Sequence, residues 1–347
     1  MADHHLVVIG ASAGGVDALR RLFAALPGTF GGSMCVVLHV PAQAPSVLPA
    51  ILTRAGKLHA RHAQDGDPLL PGAVFIGPPD YHLIVQQGCV RLWKGPQENR
   101  QRPAVDALFR SAADVYGRSV VGVVLSGALD DGTAGLGAIK AAGGVAVVQS
   151  PADASVPDMP RNAVEYVPID YALPAQEIAR LLVQLVGTDV AAPDIDTRMA
   201  PAPAEPPSDD PAPANLLERH EAELAPVTCP DCHGNLWEFR EAHVLRYQCR
   251  VGHSYSRQSL IAAHDESVER ALWAGIRSLE ENAVLARRLR QEAQQRGHVH
   301  SVRHYSQRLG RVEESIRVLR RVAERDRTAS SSLETTDQDI AATEAAP

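Results

Sequence analysis

The sequence predicts an α/β domain with a doubly wound, mostly parallel sheet over residues 1–187, followed by a small metal-binding module and a helical hairpin. Three observations predict this order. Up to about residue 186, short apolar runs alternate with helical patterns, as in sheets covered by helices on both faces. Residues 188–215 are rich in proline and alanine, which is typical of a semi-extended linker. Beyond them, Cys and His pairs precede two heptad patterns.

The first element is a strand that runs into a glycine-rich turn. Val7-Val8-Ile9 reads as a buried strand, and residues 16–26 have the spacing of an amphipathic helix. Gly10-x-Ser12-x-Gly14 therefore places a serine at the bend, beside the free N–H groups of a helix N-terminus. A phosphate-binding turn of a dinucleotide fold fits less well, because that fingerprint has Gly where Ser12 stands.

The rest of the domain continues the alternation. We expect strands at 33–38, 72–76, 83–92 (a pair joined through Gln86-Gln87-Gly88), 119–125 and 145–149, and helices at 45–55, 105–116, 135–142 and 173–186.

Composition limits the function. A net charge of −7 and 4% aromatic residues give no reason to expect nucleic acid as a partner. No basic leader and no apolar run of membrane-spanning length is present, so we expect a soluble cytoplasmic protein without membrane insertion. Five cysteines in 347 residues do not form a disulfide scaffold, and Cys35 and Cys89 read as buried thiols.

Polar residues with catalytic chemistry follow three of the predicted strands. Ser12 follows the first, His39 the second, and Asp130 and Asp131 follow the strand at 119–125. Ligands of open α/β sheets bind at these strand ends, and a hydroxyl, an imidazole and a carboxylate form a nucleophile, its base and an orienting acid. The alternatives are a hydrogen-bonded structural histidine and aspartates that cap a helix. The order Ser–His–Asp is not that of the α/β-hydrolases.

Several segments of this domain match one known family in order. They are Gly10-Ala-Ser-Ala-Gly-Gly15, Val37-Leu-His-Val-Pro41, Pro71-Gly-Ala-Val-Phe-Ile-Gly-Pro-Pro-Asp-Tyr-His82, Arg102-Pro-Ala-Val-Asp-Ala-Leu-Phe-Arg-Ser111, Leu125-Ser-Gly-Ala-Leu-Asp-Asp-Gly132 and Met159-Pro160-Arg161. Together they resemble the catalytic domain of chemotaxis protein-glutamate methylesterases, the CheB family.

The resemblance implies a serine hydrolase that removes methyl groups from glutamate γ-methyl esters of chemoreceptors. Some members also deamidate receptor glutamines, and catalysis needs no cofactor. Matched by motif, Ser12 is the nucleophile, His39 the base and Asp131 the acid, while we expect Asp130 to cap the next helix or face solvent. His82 is expected to line the site or to be structural.

This sequence departs from the family pattern at two places. Family members usually carry an N-terminal receiver domain, so we expect that control to be absent or supplied by a separate receiver protein. Ala128 stands where the family has a methionine near the serine. The rival interpretation is a non-catalytic scaffold that docks receptors and acts through its C-terminal segments.

The segment at 216–256 contains two pairs of metal ligands. Cys229-x2-Cys232 and Cys249-x3-His253 predict a closed, tetrahedral structural zinc site, with His233 and His243 as weaker alternatives. The region resembles a zinc-ribbon extension of some receiver-less members of the same family. Because a proline-rich linker precedes it, we expect loss of the metal to leave esterase activity intact.

Residues 257–328 carry two apolar seams with heptad spacing, separated by Arg296-Gly297-His298. The break favours an antiparallel hairpin, although such seams could also bind a partner helix or a second copy of the chain. Residues 329–347 are polar and are expected to be disordered.

Overall fold

The computed structural model describes residues 6–43, 46–187 and 216–344, with side chains as far as residue 324. It divides into two compact units, Met1–Ile261 and Ala262–Pro347. The predicted linker at 188–215 lies outside the described residues. None of the described helices is both long enough and apolar enough to cross a membrane.

The first part of the larger unit is the α/β domain. Its strands are β1 (Leu6–Ala11), β2 (Ser33–Leu38), β3 (Ala60–His62), β4 (Val74–Ile76), β5 (His82–Gln86), β6 (Cys89–Trp93), β7 (Val120–Val124), β8 (Val145–Gln149) and β9 (Tyr171–Leu173). Its helices are α1 (Gly15–Ala25), α2 (Leu48–Ala55), α3 (Val105–Tyr116), α4 (Thr133–Ala141), α5 (Asp158–Tyr166) and α6 (Ala175–Val186).

The main sheet has the strand order β3-β4-β2-β1-β7-β8-β9, and every described pairing in it is parallel. From β1 the chain first extends the sheet on the β2 side and then returns to add β7 on the other side. The order therefore reverses between β1 and β7, which is where open α/β sheets bind ligands. The predicted fold class is confirmed.

Apolar side chains fill both faces of this sheet. Val7 and Ile9 of β1 belong to the core covered by α1, α2 and α6, whereas Leu6 and Val8 belong to the core under α3, α4 and α5. Successive strand residues point to opposite faces, so burial on both faces explains the uninterrupted apolar run of β1.

Three short elements were not predicted from the sequence. β3 and β9 have three residues each, and α5 contains Pro160 near its start, so none has a strong periodic signal. The predicted strand pair forms the antiparallel hairpin β5–β6, which turns at Gly88 with a φ of 76°.

The larger unit also contains a C-terminal module, which we define as residues 216–261. It comprises α7 (Leu216–Arg219) and the antiparallel sheet β10 (Glu223–Thr228), β11 (Asn235–Glu241), β12 (Val244–Cys249) and β13 (Ser254–Ser256). The module packs on the α/β domain, and a Cβ added to Gly137 of α4 would lie 2.8 Å from the Ala242 Cβ. The expected independence of the module is therefore not what the structure shows, because a linker sequence carries no information about docking.

Two long helices form the smaller unit. α8 (Arg257–Gln295), whose first residues belong to the larger unit, and α9 (Val299–Glu344) join at a turn containing Gly297 with a φ of 71°. Ala283, Ala286 and Leu309 are buried between them, so the two seams pack on each other as a hairpin. α9 continues to Glu344, through most of the expected disordered tail, because neither Pro nor Gly occurs in it after Gly310.

Candidate active site and metal site

The parallel sheet brings the ends of β1 and β2 together. Ala11 pairs with Leu38 at the last position of the two strands, so Ser12 and His39 leave the sheet side by side. The His39 backbone N–H donates to the Ala11 carbonyl at 3.1 Å, and the Ser12 N–H donates to the Ser126 carbonyl at 2.9 Å. Ser12 thus lies where the strand order reverses, at the end of β1 between its neighbours β2 and β7.

The turn that carries Ser12 requires small residues around it. Gly14 has a φ of 73° and precedes α1, which places a helix N-terminus directly after the serine. A Cβ added to Gly127 would lie 2.8 Å from the Ser12 Cβ and 2.0 Å from the Met159 Sδ. A methionine therefore lies beside this loop, although it comes from α5 rather than from position 128.

His39 and Asp131 form a buried hydrogen-bonded pair. Nε2 of His39 lies 2.7 Å from Oδ2 of Asp131, and their side chains are 7% and 4% exposed. A carboxylate only accepts hydrogen bonds, so Nε2 carries the proton and Nδ1 is the ring nitrogen left to accept one. The pair therefore has the chemistry of a base held by an orienting acid.

The Asp131 carboxylate receives four donors. Oδ2 also accepts from the Val105 N–H at 2.7 Å, and Oδ1 accepts from Asn99 Nδ2 at 2.8 Å and from the Asp106 N–H at 3.1 Å. Burial alone would raise the pKa of Asp131, but the hydrogen bond and charge of His39, with the Val105 and Asn99 donors, outweigh it and lower the pKa. Asp131 is thus held ionised.

Glycines allow this carboxylate to reach the N-terminus of α3. A Cβ added to Gly10 or to Gly132 would lie 2.2 Å or 2.7 Å from Cγ1 of Val105. Because Gly10, the first glycine of the serine motif, has no side chain, the start of α3 can pack against it. The N–H groups at this start of α3 bind Asp131. The sequence interpretation predicted the helix at 105–116 but missed that its first N–H groups bind Asp131, and it missed Asn99, although both lie in or next to the matched Arg102–Ser111 segment.

The surroundings of Asp130 differ from those that we predicted. It is 7% exposed and accepts a hydrogen bond from the Ser256 hydroxyl of the C-terminal module. It neither caps α4 with its side chain nor faces solvent, because the module covers it. Leu129, with a φ of 61°, turns the chain ahead of the two aspartates.

His82 takes no part in the pair. It is fully buried, Nε2 donates to the Pro96 carbonyl at 2.9 Å, and Nδ1 accepts from the Ala104 N–H at 3.3 Å. Burial lowers its pKa, which keeps the ring neutral. Its role is structural, one of the two roles expected.

The C-terminal module gathers the four predicted metal ligands. Ligand atoms of Cys229, Cys232, Cys249 and His253 all lie within 4.8 Å of one another. The Sγ atoms of Cys232 and Cys249 are 3.6 Å apart, and His253 Nδ1 is 3.7 Å from the Cys229 Sγ. Two thiolates on a tetrahedral zinc are about 3.8 Å apart, so the group fits that ion. Among the described residues, His233 and His243 are not part of this cluster.

Comparisons with known proteins agree with the fold. The profile of the CheB methylesterase family matches residues 7–182, about half of the chain. The chain belongs to the CheB methylesterase family.

Individual relatives of the CheB domain support the same conclusion. A Leptospira interrogans protein named as a protein-glutamate methylesterase/protein-glutamine glutaminase is 36% identical over 184 residues, which make up 53% of this chain and 95% of that protein. Protein-glutamate methylesterase/protein-glutamine glutaminase 2 of Anaeromyxobacter dehalogenans is 42% identical over 52% of this chain and 53% of its own length.

A solved structure shows the same fold. The catalytic domain of Thermotoga maritima CheB methylesterase superposes with a TM-score of 0.51 at 35% identity, covering 53% of this chain and 99% of that domain.

The Leptospira relative has almost no sequence outside the matched region, so it has no room for a module like the one at 216–261. The module is thus an addition to the CheB domain.

Proposed function

We propose that this protein hydrolyses glutamate γ-methyl esters of chemoreceptors, with Ser12 as nucleophile, His39 as base and Asp131 as orienting acid. The observation that carries the proposal is the buried 2.7 Å contact between His39 Nε2 and Asp131 Oδ2, at the strand end next to Ser12. Membership of the CheB methylesterase family and the names of the relatives support the substrate class. The substrate is on the cytoplasmic domain of the receptor, so we place the enzyme in the cytoplasm.

The reaction proceeds in two halves. Ser12 Oγ attacks the ester carbonyl carbon while His39 Nδ1 takes the hydroxyl proton, and Asp131 stabilises the imidazolium that forms. The tetrahedral oxyanion lies near the N-terminus of α1, which favours negative charge. The C–O bond to the methoxy group breaks, and His39 returns the proton so that methanol leaves.

Water completes the cycle. It attacks the glutamyl-serine ester with His39 again as base, the bond to Ser12 Oγ breaks, and the serine recovers its proton from the imidazolium. The receptor keeps a free glutamate carboxylate. The same steps on a glutamine side chain would release ammonia instead of methanol, which accounts for the glutaminase activity in the relatives' names.

The C-terminal module is proposed to hold one structural zinc ion through Cys229, Cys232, Cys249 and His253. With all four positions taken by protein ligands, the ion has no open position for substrate, so its chemistry is structural. Chemoreceptors are the proposed partners.

Methanol release from methyl-labelled receptor membranes tests the proposal. Wild type should release methanol and Ser12→Ala should not, because the hydroxyl is the attacking group. Ser315→Ala, which removes an exposed hydroxyl of α9, is the matched control and should behave as wild type. Absence of release by wild type would leave the scaffold interpretation instead.

A further inference from the structure

The C-terminal module reaches the proposed orienting carboxylate through one amide side chain. Asn99 Nδ2 donates to Asp131 Oδ1 at 2.8 Å and to Asp106 Oδ2 at 2.7 Å. On its other side, Asn99 Oδ1 accepts from the Ser256 backbone N–H at 2.8 Å and from the Ser259 hydroxyl at 3.2 Å. Both serines belong to the module, so this amide links the module to the site.

The module also determines which way the amide faces. A backbone N–H only donates, so Ser256 requires the amide oxygen on its side, while the two carboxylates require the NH2 group on theirs. Exchange of the two ends would set donor against donor at Ser256 and oxygen against oxygen at Asp131. The only orientation that satisfies both sides is the one that donates to Asp131.

The loop that carries Asn99 is strained and is supported by the same module. Asn99 and Arg100 have φ values of 51° and 66°, in the left-handed region that non-glycine residues rarely occupy. The Asn99 N–H donates to the Ser254 carbonyl at 2.7 Å, and the Ser254 N–H donates to the Gln97 carbonyl at 3.3 Å. Such a conformation persists only where its surroundings fix it, and here β13 is one of those surroundings.

A buried arginine of the module pairs with carboxylates next to the site. Arg246 is fully buried and donates 2.5 Å hydrogen bonds to Asp106 Oδ2 and Glu98 Oε1. The other oxygen of Asp106 accepts from the N–H groups of Gly132 at 3.0 Å and Gly135 at 2.7 Å, at the turn that follows Asp131. Burial raises the pKa of Asp106 to about 7 even though Arg246 opposes the shift. Arg246 therefore favours the ionised carboxylate that holds this turn.

We propose that the C-terminal module completes the esterase site by positioning Asp131 through Asn99, so that hydrolysis depends on the metal-stabilised module. The inference rests on the proposed function. Asn99 is a positioning residue, because it contacts the acid and not the reacting atoms. The module sheet is small, and a zinc ion bound at its strand ends and turns would stabilise it, so we expect loss of the ion to loosen the support of Asn99.

A double-mutant cycle on the full chain tests the link. Asn99→Ala should lower kcat for methanol release about 100-fold with KM unchanged, because misplacement of an acid by about 1 Å has that order of effect. Ser259→Ala should lower kcat about 10-fold, because one of the two contacts to the amide oxygen is lost. If the module acts through Asn99, Ser259→Ala has no further effect in the Asn99→Ala background.

Metal removal gives the second measurement. Chelation should release zinc, lower the kcat of wild type and leave the residual kcat of Asn99→Ala unchanged, and added zinc should restore wild type alone. Zinc content and thermal unfolding are followed in parallel, which separates loss of the module from loss of the whole fold. Arg219→Ala is the control, because it breaks an exposed contact between the module and Asp114 of α3 that does not reach Asp131.

The outcomes separate the two proposals. If wild type and Arg219→Ala release no methanol, the proposed function fails. If they release it and Asn99→Ala or zinc-free enzyme is equally active, the esterase stands and the role of the module is overturned. Additive effects of Asn99→Ala and Ser259→Ala would also overturn it, because the module would then act by another route.

Discussion

Replacement of Asp131 by asparagine tests the orienting acid most directly. All four partners of the carboxylate are donors: His39 Nε2–H, Asn99 Nδ2–H and the N–H groups of Val105 and Asp106. An asparagine can present its oxygen to only one pair of them. Its NH2 group then faces the other pair, donor against donor.

The two orientations of the asparagine predict different losses. If the NH2 group faces His39, the imidazole must carry its proton on Nδ1 and can no longer accept the serine proton. In a serine protease this wrong tautomer costs on the order of 10⁴ in turnover. If the NH2 group faces Asn99 and Asp106, two buried donors lose their acceptors at about 1–3 kcal/mol each. A loss of about 2–6 kcal/mol is a large part of the stability of an ordinary domain.

Methanol release and thermal unfolding, measured together, distinguish these losses. Where the NH2 group faces His39, we expect Asp131→Asn to release methanol at most about 10⁻³ as fast as wild type. Where it faces Asn99 and Asp106, we expect a lower unfolding temperature. Asp130→Asn is the matched control, because an amide oxygen can still accept from the Ser256 hydroxyl, and it should keep most of the activity. An Asp131→Asn enzyme that releases methanol within about tenfold of the wild-type rate and unfolds at the wild-type temperature would refute the role of the acid.

Three further predictions concern the metal, acid stability and the hairpin. Purified protein should hold about one zinc ion per chain by atomic spectroscopy. Cys249→Ser should lose the ion, because three ligands do not close a structural site. Full zinc occupancy in that variant would contradict the ligand set. The pKa of Asp131 is lowered from 3.8 to about 2, so its ionisation contributes stability that is present above pH 3.8 and lost as pH falls through 2. Urea unfolding should therefore show that, from pH 4 to pH 2, the free energy of unfolding of wild type falls more steeply with pH than that of Asp131→Asn. Equal slopes for the two proteins would exclude this contribution of Asp131. Leu309→Ala should destabilise the helical hairpin by about 2–5 kcal/mol, because Leu309 is only 6% exposed. Leu285→Ala is the control and should change the stability little, because Leu285 is 54% exposed. Equal effects of the two substitutions in calorimetry would show that the seam does not pack.

The positions of Ser12 and His39 could be predicted because they depend on local order. An apolar run of β-strand length followed by a polar residue places that residue at a strand end, and parallel pairing then brings the ends together. Two adjacent aspartates give no such signal. Their surroundings depend on the turn at Leu129 and on Ser256, which lies 126 residues from Asp130 in the sequence.

The docking of the module could not be predicted for a related reason. Periodicity indicates which residues of a strand are buried but not against which distant segment they pack. Arg246 lies in an alternating strand and is an ordinary surface residue by composition, yet it is fully buried beside Asp106. Asn99 likewise lies in a polar loop, and its role depends on partners more than 150 residues away.

The distance along the chain between Asn99 and Ser256, 157 residues, has a consequence for synthesis on the ribosome. The strands and helices of the α/β domain are complete at Val186, well before Ser256 is made. Chains grow at roughly 5–20 residues per second and domains generally fold in order from the N-terminus, so a nascent domain waits for several seconds with Asn99 unsupported. If the module acts as proposed, the enzyme would reach full activity only when its last β-strand has left the ribosome and docked, and a polypeptide truncated in the linker would be folded but about 100-fold lower in kcat.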